Sequence, residues 1–180
     1  MEAWRRSNAQ SADQVVGGVE DCGGVRAVAL KLIRSNGNGE ISMSIEENVK
    51  VVKDFFAAIG RGDKQRVLAL VAEDIEWIVP GENWPLAGTH RGHAGIAGVL
   101  QKASEEVETA YPRPPEFMAE GDRVLVIGVA KGKIKATNKA FKDEWVFDIT
   151  VRDGKLTRIQ EYIDTQALAR ASEIAASPKP

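Results

Sequence analysis

Sulfur and imidazole are scarce in this sequence. A single cysteine, Cys22, excludes an intrachain disulfide framework and any zinc site built from several cysteines. Only two histidines, His90 and His93, are present, which argues against a histidine-rich metal centre. No apolar run approaches the ~20 residues that a membrane-spanning helix needs. The opening MEAWRRSNAQSADQ has basic residues but no apolar stretch behind them, so it does not read as a secretory signal. Charge of one sign is missing too. Lys and Arg number 24 against 26 Asp and Glu, a net charge of −2. That balance gives no electrostatic case for nucleic acid or an anionic membrane. Together these absences lead us to expect a soluble cytoplasmic protein with no metal and no cofactor.

What remains is ordinary globular material: 180 residues, 43% hydrophobic and 28% charged. That is enough for one well-filled core. Residues 1–42 differ from the rest, with Gly-, Ser- and Asn-rich stretches around one short apolar patch, VRAVALKLI. Met43-Ser44 reads as a chain start, so 1–42 is expected to be a flexible N-terminal extension, a leader or an expression remnant. The folded domain is expected over 43–176.

From Ser44 the pattern is regular. SIEE is a capping box, in which Ser44 and Glu47 satisfy each other's backbone donors. Val49, Val52, Phe55, Phe56 and Ile59 then fall at helical spacing, which predicts a helix over 45–59. Gly60 or Gly62 is suited to end it and Asp63 to cap a second helix. The Arg61-Gly62-Asp63 tripeptide reads as this hinge and not as an adhesion motif. A strand over 75–80 stops at Pro80, a short strand or turn follows at 89–92, and a third helix covers 93–108. Strand signals then come in series to Asp164, broken at Glu120-Gly121-Asp122 and Arg152-Asp153-Gly154 as hairpins break. The order predicts an α+β fold, a curved antiparallel sheet wrapped around N-terminal helices into a cone, with a short C-terminal helix. The mouth of such a cone is a natural ligand site.

The stretches FFAAIGRGDKQRVLALVAEDIEWIVPG, PLAGTHRGHAGIAGVL and VRDGKLTRIQEYIDTQALARA together resemble the nuclear transport factor 2-like superfamily, within it the SnoaL-like and ketosteroid-isomerase-related proteins. The resemblance spans nearly all of 45–171 and implies the cone-shaped α+β barrel. It also allows known catalytic sets to be tested residue by residue. Ketosteroid isomerases place a Tyr and two Asp where this chain has Phe55, Val79 and Phe147, none of which exchanges protons. Limonene-epoxide-hydrolase-like enzymes use an Asp–Arg–Asp set. Arg123 and Asp164 match two of its members, Leu125 replaces the third, and Glu76 and Ile78 fall near the helper positions. SnoaL-like cyclases rely on one late acidic residue in a hydrophobic pocket, and Asp164 matches it.

The candidate catalytic residues are therefore Asp164, Arg123 and His90. Asp164 has two open readings, a helix cap and a pocket carboxylate. Alternation puts Tyr162 and Asp164 on one strand face and Glu161 and Ile163 on the other. If the Tyr162 face is the inner one, Asp164 lies among aromatics and its pKa rises. His90 is either a rim histidine or a proton shuttle. Trp77 and Trp145 fall on strands and suit the core, Trp84 suits a lid or wall, and with Tyr162 and Phe55 they are the candidate substrate contacts. Asp148 alternates away from Trp145 and Phe147 and is expected to face solvent or a partner chain. Lys131, Lys133 and Lys135 are expected on a solvated hairpin. The function expected is cofactor-free acid–base chemistry on a hydrophobic small molecule, of isomerase, cyclase or hydrolase type. The alternative is a non-catalytic ligand-binding or dimerisation module of the same fold. The resemblance also implies a homodimer through the outer sheet face.

Overall fold

The computed structural model describes residues 44–82 and 84–173. The expected extension 1–42, with Cys22 in it, lies outside the described residues, as does the end of the expected domain at 174–176. Helix α1 spans Ile45–Arg61 and opens with the predicted capping box: the Ser44 N–H donates to Glu47 at 2.8 Å and the Glu47 N–H to Ser44 Oγ at 3.2 Å. Its inward stripe is Val52, Phe55 and Ala58, three residues apart as a helix face requires. Gly62, at φ 69°, ends the helix in the left-handed conformation that glycine adopts without a side-chain clash. One residue later Asp63 caps α2, Lys64–Leu70, by accepting the Arg66 N–H at 2.9 Å. Helix α3 is Gly92–Glu106 and helix α4 is Thr165–Ser172.

Seven strands follow the helical hairpin: β1 Val71–Val79, β2 Gly88–Arg91, β3 Val107–Ala110, β4 Glu116–Glu120, β5 Arg123–Ile134, β6 Lys139–Arg152 and β7 Lys155–Tyr162. They form one curved, unclosed sheet in the order β2-β1-β7-β6-β5-β3, with β4 also paired to β5. The expected antiparallel sheet needs one correction. Strand β1 runs parallel to β7, placing Trp77 opposite Ile159, so the sheet is mixed. A second correction concerns the third helix, which stops at Glu106 because Val107–Ala110 pairs with β5 as a strand. Both predicted hairpins form. Asp153 and Gly154 take φ 50° and 72° in the two-residue turn between β6 and β7, the pair of positive φ values a type I′ turn demands.

The concave face of the sheet is apolar and packs on α1. Val124, Val126, Ile149, Val151, Leu156 and Ile159 are all nearly inaccessible to solvent. Burying each contributes about 1.5–3 kcal/mol. Glycine is needed where the large rings meet the sheet: a Cβ on Gly128 would run into the indole of its cross-strand neighbour Trp145.

Candidate functional site

Strand β6 sends Asp143, Trp145, Phe147 and Ile149 to the concave face, every second residue, while Glu144, Val146 and Asp148 point outward. Strand β7 turns Ile159 and Glu161 inward beside them, with Phe147 directly opposite Glu161 in register. The conditional placement of Tyr162 and Asp164 on the inner face is thereby corrected. Tyr162 is 57% exposed on the outer face, and the carboxyl carried inward is that of Glu161, only 9% exposed.

Aromatic rings enclose Glu161. Helix α1 supplies Phe55 and Phe56, whose rings meet edge-on at 5.7 Å. Trp77 from β1 stands perpendicular to Phe147 at 6.3 Å, and Trp145 lies 5.0 Å from Phe147. One polar contact reaches the carboxyl from this shell: Trp77 Nε1 donates to Glu161 Oε1 at 2.6 Å. Desolvation raises the Glu161 pKa, the Trp77 hydrogen bond opposes the rise, and the nearby Asp143 adds to it. Burial wins, and the pKa reaches about 8.

Two further titratable groups share this interior. Asp143 is 6% exposed, and its Oδ1 accepts the Asp164 N–H at 2.7 Å. Its pKa is raised, chiefly by burial, with the Asp164 N–H pulling the other way. Tyr111, just after β3, is 39% exposed as a residue, while its hydroxyl is desolvated and feels the charges of Glu161 and Asp143. Burial first, and those two carboxyls after it, push its pKa up to about 12, so the phenol keeps its proton. Its ring meets Trp145 edge-on at 6.2 Å.

The candidates named from sequence divide into two groups. Phe55, Trp77 and Trp145 come together around Glu161. Trp84, expected as a lid or wall, is 7% exposed and belongs to the main core. Asp164 is the helix cap of α4, accepting the Ala167 N–H at 2.9 Å, with its side chain outside the aromatic shell. Arg123 does not pair with Asp164. Its Nε donates to Asp148 Oδ1 at 2.7 Å on the outer face, where Asp148 was expected. His90 Nε2 donates to the Leu86 carbonyl at 2.9 Å, which ties the ring to the loop before β2. Lys131 and Lys133 are exposed along β5 near its hairpin to β6.

Glu161, Asp143 and Tyr111 were not singled out from sequence. A signal existed for two of them. Asp143 shares parity with Trp145 and Phe147, and Glu161 with the buried Ile159. Tyr111 sits outside any periodic stretch and carried none. Among the described residues no cluster of three His, Cys, Asp or Glu side chains suits a metal ion, and no helix is long and apolar enough to cross a membrane.

The sequence pattern of the SnoaL-like domain matches residues 52–159, which contain most of this site. A nuclear transport factor 2-like protein of Burkholderia xenovorans LB400 is 68% identical in sequence, superposing with a TM-score of 0.71 over 73% of this chain and 99% of its own. TerC, crystallised with polyporic acid, is 29% identical, with a TM-score of 0.62 over 69% of this chain and 97% of its own. Rv0034, an uncharacterized protein of Mycobacterium tuberculosis, is 26% identical over 120 residues, 67% of this chain and 91% of its own.

Proposed function

The chain belongs to the SnoaL-like domain family, and from that premise we propose that it is a cofactor-free acid–base enzyme acting on a hydrophobic carbonyl compound, with Glu161 as the proton carrier. The observation that supports this most is one carboxyl group, 9% exposed, among aromatic rings with a single neutral side-chain donor on it. A carboxylate with a pKa of about 8 is a far stronger base than an ordinary glutamate, and it is partly ionised at neutral pH. Such a group takes a proton from the carbon next to a carbonyl and returns it elsewhere on the same molecule. Isomerisations and ring closures need that round trip and no cofactor. Trp77 fixes the carboxyl's orientation. Asp143 keeps its pKa high and offers a second carboxyl to the same interior. The similarity to TerC, which was crystallised with polyporic acid, supports a small organic molecule as the ligand.

Two measurements test this. A carbon-detected titration of Glu161, assigned with Glu161→Gln, is expected to give a pKa near 8. Uptake of solvent deuterium next to the carbonyl of cyclic aryl ketones such as 2-tetralone is expected to rise with pH through that value. A Glu161 that titrates like an exposed carboxyl, or exchange indifferent to Glu161→Gln, would favour the binding-module reading instead.

We also propose that the protein pairs with itself through the outer sheet face. Met118 and Tyr162 are 59% and 57% exposed there, and the strands beside them carry Leu125, Ile127 and Val146. Light scattering on Met118→Lys/Tyr162→Lys is expected to report a monomer where the wild type reports a dimer; a wild-type monomer would end the proposal.

A further inference from the structure

Strand β6 outruns its neighbour β7. Their pairing ends at Val146 opposite Tyr162, while β6 stays paired with β5 as far back as Lys139. Helix α4 packs against β6 and β5 at this end of the sheet and buries Leu168 and Ala171. Among the described residues, every hydrogen bond that joins α4 and its cap to the sheet uses a side chain. At the far end Thr137 Oγ1 donates to the Ala171 carbonyl at 2.6 Å, and Lys139 Nζ to the Glu173 carbonyl at 2.7 Å. At the near end the Asp164 N–H donates to Asp143 Oδ1 at 2.7 Å, just past the last rung of the β6–β7 ladder.

Asp143 is the acidic member of this set, and it is buried. Among the described residues no lysine or arginine pairs with it. The groups that face it are Asp164 at the start of α4, Glu161 on β7, the Tyr111 phenol after β3 and the uncharged Ala130 opposite it on β5. Glu144, next to it on β6, has Lys142 on its carboxyl at 2.9 Å, and Lys131 on β5 and Arg170 on α4 are exposed. A buried carboxylate without a counter-charge gains hydration when its cover lifts, and a neutral carboxyl gains far less. The Asp164 N–H opposes this by favouring the charged form while α4 is docked. Burial is the larger influence, and it holds the Asp143 pKa above the ordinary 3.8. A proton on Asp143 thus favours the docked helix, and its loss favours the lifted one.

We propose that Asp143 is a proton-controlled latch on α4: the protonated carboxyl keeps the helix docked at the end of the concave sheet, and the ionised carboxyl releases it. Below pH 3.8 the carboxyl is protonated whether α4 is docked or lifted, and docking does not respond to pH. Above that value the lifted state ionises first, and docking weakens by up to about tenfold per pH unit. The weakening stops where the docked carboxyl ionises as well. Lifting uncovers the inner face near Glu161, which makes α4 a gate at that end of the sheet. The latch does not depend on Glu161 moving protons.

Amide hydrogen exchange on the full chain, followed by NMR from pH 4 to 8 and corrected for the intrinsic rate at each pH, reads the docking of α4. Protection of the amides from Leu168 to Ser172 is expected to fall with rising pH and then level off. Asp143→Asn keeps an acceptor for the Asp164 N–H but cannot ionise, and it is expected to abolish the fall. Glu161→Gln is expected to leave the fall in place. Thr137→Val removes a donor that does not titrate, and it is expected to lower α4 protection roughly three- to tenfold at every pH. Protection that ignores pH in the wild type, a fall that survives Asp143→Asn, or one that vanishes in Glu161→Gln would each overturn the latch. If Asp143→Asn does not fold, the wild type decides through the Asp164 amide. Its proton shift is expected to titrate at the pH where α4 protection levels off, and a titration elsewhere would overturn the latch too.

Discussion

The two faces of strands β6 and β7 carry acidic residues only a few positions apart, yet they differ in everything that matters for chemistry. Outward, Asp148 lies under the guanidinium of Arg123, and Asp164 ends the strand by capping α4. Inward, Glu161 and Asp143 have lost most of their water, and their pKa values are raised for that reason first. A cation neutralises a carboxylate and an N–H cap fixes one. Only an apolar enclosure turns it into a strong base. Strand parity therefore decides which carboxyl loses its water: one step along β7 separates Tyr162, 57% exposed, from Glu161, 9% exposed.

The sharpest way to break this comparison is to neutralise one carboxyl on each side. Glu161→Gln keeps the shape and the Trp77 contact but removes the proposed proton carrier. Ketone deuterium exchange is expected to fall by about 10²–10⁴-fold, the usual worth of a positioned acid or base. Asp164→Asn keeps a side chain that caps a helix as well as Asp does, so the same exchange assay is expected to stay within about threefold of wild type. The reverse order of effects would move the site to the outer end of β7.

Stability against pH compares the faces without a substrate. The folded chain holds the Glu161 proton up to about pH 8, while the unfolded chain releases it near 4.5. Between those values the folded state binds more protons, so stability falls as pH rises, by at most about 1.4 kcal/mol per pH unit from this group, and the loss is complete above pH 8. Urea unfolding from pH 5 to 8.5 is expected to show that decline as the difference between wild type and Glu161→Gln. A difference that stays flat would mean Glu161 ionises as freely folded as unfolded.

A smaller effect separates a crowded strand position from an open one. Gly128→Ala drives a methyl group into the Trp145 indole and is expected to cost about 1–3 kcal/mol, read by thermal or chemical unfolding. Gly98, within α3, faces open space, with no neighbouring atom within 4 Å of where a Cβ would stand. Gly98→Ala is therefore expected to stabilise by about 0.5–1 kcal/mol through backbone entropy alone.

Local rules made much of the fold legible. The capping box, the Asp63 cap, the left-handed Gly62 and the Asp153-Gly154 turn each rest on contacts within a few residues. The parallel β1–β7 pair depends on contacts more than eighty residues apart, as the Trp77–Glu161 hydrogen bond does, and no local pattern encodes it. The site was half legible for the same reason. Alternation states which residues share a face but not which face is inner. The aromatic Tyr162 suggested the wrong one, because an exposed tyrosine and a buried one look alike in sequence. The fully buried Ile159, two residues before Glu161, is what settles it.

The faintest effect belongs to the outer pair. Arg123 is 59% exposed at its side chain and meets Asp148 through two nitrogens, Nε and Nη2. Asp148 is 11% exposed at its side chain, but with the arginine in water the pair still loses to side-chain entropy and salt much of what it gains from charge. Asp148→Asn is therefore expected to move the thermal midpoint by no more than about 2 °C at low salt, and by less at 0.5 M sodium chloride. A larger shift that vanishes on dilution would instead show that the pair sits inside the contact between two copies of the sheet, where water no longer screens it. The outer face would then share, at its centre, the dryness that the inner face owes to its aromatic rings.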